Sequence, residues 1–482
     1  MKRWPLYCIL SLAALMAGCS DYDDFTINPS SRLEFSVDTV RFDTLVNTVP
    51  SSTHSLFVHN KGKKGVRITS ISLDDGAESY FRVNVDGQYL ARGVGKDFEI
   101  RRNDSIAVRV EVTLPEAGTP LPQKYEDCLT FLLENGAEQR LALEVVGKDA
   151  HIVHGMNVTG DLTLKTDMPY VIYDSLVVEK NATLTLSPGT CLMFHDKCGM
   201  DVYGKVTVNG TLEQPVVMRG DRTDHMFDYL MYDNTPNRWE GITIHQGSVG
   251  NKWTYADIHS GCKGVEVLHD NADEMCLELE NCIIHNVGGD ALSLNGSMVS
   301  VVNTQISNAY GKCVSVLGGN STFVYCTLAQ FYLFSSTRGD ALYIANRDED
   351  ENYHEIDQAY FYNCVVTGYG DDVIMGNLSD ESGDTPYLFD HCFLNTVTSD
   401  DEARFVSVVY DSKDDSTHAE SNFRVFDSYN FVYDFTPVAD SKIRGMADAV
   451  WNTRYPADRL GRLRGDVPCA GCYEYFEEKK EE

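Results

Sequence analysis

The feature that most limits what this chain can fold into is an internal repeat. Six segments share one pattern, which reads large apolar, any residue, polar or aromatic, small, any residue, aliphatic. They are Trp253 to Ile258, Leu279 to Ile284, Val301 to Ile306, Phe323 to Leu328, Phe361 to Val366 and Phe389 to Leu394. The small position is held by Ala256, Cys282, Thr304, Cys326, Cys364 and Cys392, at spacings of 26, 22, 22, 38 and 28 residues. A second β-like run follows each of the first five, at Lys263 to Val267, Asp290 to Leu294, Lys312 to Val316, Asp340 to Ile344 and Asp371 to Met375. Two strands per repeat, with room for a third, is what one coil of a parallel β-helix requires. Equal positions then stack at about 4.8 Å, so the small residues should form one buried ladder. A leucine-rich repeat would need a different leucine spacing, and a propeller blade about 40 residues.

Upstream the pattern differs. From about Leu33 to Lys148 apolar and polar residues alternate in short runs, most clearly Ile106, Val108, Val110, Val112 and Leu114. Alternation with frequent turn residues reads as a two-sheet sandwich of immunoglobulin-like class. Asn135-Gly136 marks a hairpin with a type I′ turn, because both residues accept positive φ. The chain therefore divides into 31–150, a β-sandwich, 151–420, a parallel β-helix, and 421–482, a C-terminal cap or tail. Insertions at Arg219 to Trp239, Ala345 to Gln358 and Leu378 to Pro386 interrupt the coils. Loops thrown out from a rigid solenoid are where binding usually resides.

The start of the chain reads as an export signal over residues 1–18. Met1-Lys2-Arg3 precedes the apolar run Trp4 to Ala17, and Leu15-Met16-Ala17-Gly18-Cys19 matches a bacterial lipobox, with Cys19 as the lipidated residue. Residues 19–30 form an acidic tether containing Asp21, Asp23 and Asp24. Loss of Lys2 and Arg3 leaves 38 basic against 72 acidic residues, a formal charge of −34. Such a chain repels polyanions, which argues against nucleic acid as a partner. Twelve cysteines remain after Cys8 and Cys19 are set aside, too sparse in a chain of this size for a disulfide scaffold.

Several stretches resemble a family of exported right-handed parallel β-helix repeat lipoproteins of Gram-negative gut anaerobes. They are Val37 to Thr44, Phe81 to Gly87, Val171 to Val178 and Ser187-Pro188-Gly189-Thr190, with Asp458 to Arg462 and Gly471-Cys472-Tyr473-Glu474-Tyr475 near the end. The resemblance implies an all-β fold, a right-handed hand for the helix, and outer-membrane attachment through the N-terminal lipid with exposure at the cell surface. It implies no activity. Cys472 stands where the family usually has alanine and Cys469 where it tends to have aspartate, which leaves a disulfide or altered packing as alternatives.

Candidate chemistry is thin. Gly370-Asp371-Asp372 resembles the Gly-Asp-Asp element of polygalacturonases, and Asp340 occupies the same register one coil earlier, so Asp340, Asp371 and Asp372 are candidate acid and base residues for glycoside hydrolysis. The companion Gly-His-Gly and Arg-Ile-Lys elements are missing. The same register reads Lys263, Asp290, Lys312, Asp340, Asp371, which cross-coil ion pairing explains equally. Arg338 beside Asp340, with the acidic loop Asp348 to Glu351, supplies residue types used by pectate-lyase-like enzymes. His259 and His285 hold equal positions in adjacent coils but, with no carboxylate in their register, read as an exposed polar ladder and not a metal site. Calcium is compatible with the acidic loops without being indicated, and no cofactor is expected. Tyr229 and Tyr232, in an insertion rich in aromatics, are candidate sugar-stacking residues.

The leading expectation is a non-enzymatic, surface-exposed binding or adhesion lipoprotein with glycan as the ligand class. A polysaccharide lyase or glycoside hydrolase, and a structural component of an envelope assembly, are the alternatives. The anchoring expectation has a direct test. Cys19→Ala should release the protein from membranes or leave its signal uncut on immunoblots of fractionated cells, and an unchanged membrane-bound mature product would remove Cys19 as the anchor.

Overall fold

The computed structural model describes residues 24–477 except 228, 270–271, 380–385 and 412–418. The signal, Cys19 and the first part of the tether lie outside the described residues. The chain forms two compact units, one of Met1–Ala117 with Pro122–Gly147 and one of Gly118–Leu121 with Lys148–Glu482. Among the described residues no helix is long and apolar enough to cross a membrane.

The first unit has two five-stranded sheets. One runs in the order Glu34–Phe35, His54–Asn60, Asp104–Val112, Phe81–Val85, Gln88–Tyr89, and the other Thr39–Val46, Glu138–Lys148, Gln123–Leu133, Val66–Leu73, Val94–Ile100. Ile106, Val108, Val110, Val112 and Leu114 are all buried, and they share one core with Phe131, Leu141 and Leu143 of the second sheet. The hairpin at Asn135-Gly136 is present, with Leu132 opposite Glu138. Its turn differs from the expected type. Gly136 has φ +80° while Asn135 stays outside the positive-φ region, and the Gly136 N–H donates to the Leu133 carbonyl at 3.0 Å. The asparagine instead spends its side chain on hydrogen bonds, its Oδ1 accepting from the Ala137 N–H at 2.9 Å and its amide donating to the Asn28 carbonyl at 2.7 Å. One left-handed residue then suffices to close the loop.

The second unit is built of parallel strands that stack in three ladders, as a β-helix requires. One ladder is a ten-stranded sheet from Asp161–Thr163 to Phe405–Val406. The other two interleave in an eighteen-stranded sheet. One of them passes through Ala256–His259, Ile283–Val287, Gln305–Ala309, Thr327–Gln330 and Val365–Gly368. The other passes through Val265–Leu268, Leu292–Asn295, Val314–Leu317 and Leu342–Ala345. The repeat fixes the register. Trp253, Leu279, Val301, Phe323, Phe361 and Phe389 pair in succession, as do Ile258, Ile284, Ile306, Leu328, Val366 and Leu394. The Phe323, Phe361, Phe389 and Phe405 rings stack at 4.8, 4.9 and 5.4 Å, close to the strand spacing.

All six small residues are fully buried. Each lies one residue after a left-handed corner, at Tyr255, Asn281, Asn303, Tyr325, Asn363 and His391, with φ between 47° and 58°. The ladder carries hydrogen bonds as well as packing. Backbone N–H groups of Ala256, Cys282, Cys326 and Cys364 donate to Cys282 Sγ, Thr304 Oγ1, Cys364 Sγ and Cys392 Sγ of the following coil, at 3.3–3.4 Å. Burial and the neighbouring thiols push the Cys364 thiol well above its usual range.

The last second-register run is shifted by one residue. Leu342 pairs with Ile374, so Asp372 and not Asp371 is the register equivalent of Asp340. The described part of the C-terminal segment packs along the side of the coils. Cys472 N–H donates to Thr327 Oγ1 at 3.1 Å, Tyr473 OH to Gln305 Oε1 at 2.6 Å, and the Asn303 and Asn363 amides to the Ala457 and Asp448 carbonyls at 3.0 Å. A Cβ at Gly471 (φ +83°) would come within 2.6 Å of Thr327 Oγ1, so the approach requires glycine. Cys469 and Cys472 are both free, which resolves their alternative in favour of packing.

The ladder predicts a graded response in urea unfolding. Cys364→Lys, which buries an unpaired charge, should cost about 4 kcal/mol or more. Cys364→Ala, which loses one acceptor and a little volume, should cost about 1–2 kcal/mol. A harmless lysine would show the register to be wrong.

Candidate functional site

Strand Ala256–His259 turns Asp257 and His259 to the same side, because residues two apart on a strand share a face. The register places His285 directly beside His259, with ring centroids 4.8 Å apart. The two histidines are therefore in register as expected, but His259 is buried and the pair does not form an exposed ladder. Burial follows from its partners. Asp257 Oδ1 lies 2.8 Å from His259 Nδ1 and 3.3 Å from His285 Nε2, while Asp233 Oδ1 lies 2.7 Å from His259 Nε2. Asp233 comes from a short turn, Tyr232–Asn234, in the insertion after Arg219, and its other oxygen takes an ion pair from Arg219 at 2.8 Å.

Both carboxylates are missing from the register reading. Asp257 was legible as Asp-x-His on a strand, an alternation signal; Asp233, some two dozen residues away in an insertion, was not. The electrostatics follow from the geometry. Burial opposes charge on His259, yet Asp257 and Asp233 on either side raise it to about 9. Burial likewise works against the two carboxylates, and His259 outweighs it, holding Asp257 well below the usual range and, with help from Arg219 and His285, lowering Asp233.

Asp257 and His285 open into a cleft of about 460 Å³. Its floor is polar, with Asn286, Gln305 and Ser307, and its opposite wall is Phe431, Tyr433 and Asp434. That wall belongs to the hairpin of Phe423–Asp427 and Val432–Pro437. The hairpin tip gathers exposed aromatics from distant loops. Tyr429 stacks with Tyr229 at 6.3 Å and Tyr229 with Phe227 at 5.8 Å, while Phe431 stacks with Phe334 at 5.2 Å. Phe227, Tyr229 and Tyr429 remain 54%, 53% and 75% exposed. Tyr232 differs from Tyr229: the Arg222 guanidinium covers its ring at 4.3 Å.

The other candidates lie apart from this lining. Burial, with Asp372 adding to it and Lys312 opposing, raises the Asp340 carboxyl. Asp372 accepts from Thr396 Oγ1 at 2.8 Å and the Ile374 N–H at 3.2 Å, and Asp371 is exposed. Arg338 donates to the carbonyls of Tyr332 and Ser335 at 3.0 Å and lies over the Tyr369 ring. In the alternating charge register, Lys263 pairs with Glu266, Lys312 lies over the Tyr343 ring, and Asp290 accepts the Lys312 backbone N–H at 2.7 Å. Asp348 organises the acidic loop by accepting from Asn352 and pairing with His354, which holds its carboxyl at about 2.

Fold and site together define an all-β protein whose parallel-stranded unit carries a polar cleft lined on one side by aromatic residues of the C-terminal hairpin. No family model and no curated protein matches the chain. Solved structures that are similar over a quarter of it include the Escherichia coli chaperone DraB (12% identity, 25% of this chain and 55% of that one, TM-score 0.17) and a family 123 glycoside hydrolase from Clostridium perfringens (6%, 25% and 26%, 0.19). A protein of unknown function from Porphyromonas gingivalis W83 gives 12% identity over 27% of this chain and 59% of that one, TM-score 0.17. The chain spans about half or less of the first two, and likenesses at these scores carry no argument.

The buried pair gives the protein a pH signature. His259 is raised from 6.5 to about 9, so its contribution to stability is full just below pH 6.5 and is lost as pH rises through about 9. In chelator-treated buffer, the melting temperature of the parent should exceed that of His259→Gln by an amount that shrinks between pH 7 and pH 10. A constant difference across that range would contradict the paired geometry.

Proposed function

We propose that this protein is a lipid-anchored, surface-exposed lipoprotein that binds glycan in the cleft of the second unit without cleaving it. On this reading the parallel coils are a right-handed β-helix of the exported lipoprotein type, and the first unit is an immunoglobulin-like sandwich. The observation that carries the reading is the cleft itself. Amide, hydroxyl and carboxylate groups on its floor match the hydroxyls of a sugar, and the rim supplies flat aromatic faces for its apolar side. Solvent-exposed aromatics held by stacking present that surface with little conformational freedom left to lose.

The reading against hydrolysis rests on the polygalacturonase-like aspartates. Asp372 is occupied with the turn that carries it, and Arg338 with its own loop, as described above. A lyase or hydrolase remains the second reading on one specific observation, the two carboxylates Asp257 and Asp434 that reach the same cleft.

A glycan array with residues 25–482, followed by a reducing-end assay on every glycan that binds, separates the two. Binding without product is expected, and Tyr229→Ala and Tyr429→Ala should each weaken it about twofold to tenfold, the range of one stacking contact. Absence of any bound glycan, or full affinity in both variants, would overturn the proposal; release of reducing ends would select the enzyme.

A further inference from the structure

Asp257, His259 and His285 present one carboxylate oxygen and two imidazole nitrogens that all lie within 4.8 Å of one another. We infer that these three residues form a binding site for a divalent transition-metal ion at the base of the cleft. The inference does not depend on the glycan reading, because it concerns what the side chains hold and not what enters above them.

Three observations support it. The first is convergence: two adjacent coils turn three donors to one point, and Asp257 Oδ1 faces both His259 Nδ1 at 2.8 Å and His285 Nε2 at 3.3 Å. A tetrahedral zinc site with bonds of about 2.0–2.2 Å holds its donors roughly 3.4 Å apart. The separations here, from 2.8 to at most 4.8 Å, bracket that value. The second is the support behind the ligands. His259 directs Nδ1 at the proposed ion and donates from Nε2 to Asp233 at 2.7 Å, and Arg219 holds Asp233 at 2.8 Å. A ligating imidazole is ordinarily fixed in tautomer and orientation by such a carboxylate. The third is access. Asp257 and His285 line the cleft while His259 is buried, so a fourth coordination position opens to solvent.

The donor set names the class of ion. Two imidazoles with one carboxylate suit zinc, cobalt, nickel or copper, whereas calcium and magnesium take oxygen ligands. The competing account is a metal-free ion pair in which His259 bridges Asp233 and Asp257 as an imidazolium. The two differ in whether the protein takes up metal.

The test uses untagged residues 25–482, stripped with chelator and titrated with Zn²⁺ by calorimetry and with Co²⁺ by visible absorption. One ion per chain is expected, with the intense d–d bands of a low-symmetry cobalt site. His285→Ala, at a half-buried ring, should weaken Zn²⁺ at least tenfold, and Asp233→Asn tenfold to a hundredfold through loss of the support on His259. His354→Ala, on the acidic loop, should leave affinity unchanged. The cobalt spectrum of the unaltered protein keeps the inference testable if a variant does not fold. Failure of the unaltered protein to bind one equivalent, or equal affinity in His285→Ala, would overturn the site and leave the glycan proposal standing.

Discussion

At five of the six repeat corners, all but that of Ala256, a small side chain is hydrogen-bonded to the coil before it. Cys282, Cys326, Cys364 and Cys392 direct their thiols to the carbonyls of Trp253, Val301, Phe323 and Phe361, at 3.3–3.6 Å. Three of them also accept a backbone N–H from that coil, as Thr304 does with its hydroxyl. Sulfur is small, soft and able both to donate and to accept weakly, which explains why cysteine outnumbers alanine at a position that size alone would leave open to both. Because side chains alternate along a strand, a slip of one residue would turn every inward residue outward. The corner bonds, the stacked phenylalanines and the aliphatic ladder all select the same register, and a consistent set of weak preferences is what specifies a single fold.

That register is also what makes the charged cluster possible. Asp257 and His259 leave one face of a strand, and the next coil sets His285 beside them; no loop conformation has to be remembered for these three. Burying His259 between carboxylates is tolerable because each charge there has a partner: Asp233 answers one ring nitrogen, Asp257 the other, and Arg219 the remaining oxygen of Asp233. The insertion that delivers Asp233 also carries Phe227 and Tyr229.

The C-terminal segment completes the cleft from the other side. It lies along the corners, where asparagines in the left-handed region have amide groups to spare, and Asn303 and Asn363 use them to hold it. Arg464 and Glu474, a buried pair at 2.7 Å, brace the irregular segment that bears Tyr473, and Tyr473 reaches the Gln305 side chain in the cleft. The hairpin carrying Tyr429 and Phe431 belongs to the same segment.

The sequence by itself determined the architecture of the coils. Their ladders are local patterns repeated, and a repeated pattern of six residues has one way to stack that buries every large side chain. It also determined the alternating core of the first unit and the existence, though not the type, of the turn at Asn135-Gly136, since a side-chain hydrogen bond to Asn28 is not written in the dipeptide. The one-residue shift that puts Asp372 in the place of Asp371 escaped for the same reason: an aspartate pair offers two registers, and only the stacking of Ile374 on Leu342 chooses between them. Asp257 beside His259 was visible as alternation. Asp233, Arg219, Tyr429 and Phe431 were not, because their meeting depends on where the insertion after Arg219 and the C-terminal hairpin fold over the coils, and a contact between residues far apart in sequence leaves no periodic trace. Tertiary structure alone decided that His259 is buried between two carboxylates and that Phe431 and Tyr433 of the C-terminal hairpin line one cleft with Asp257 and His285.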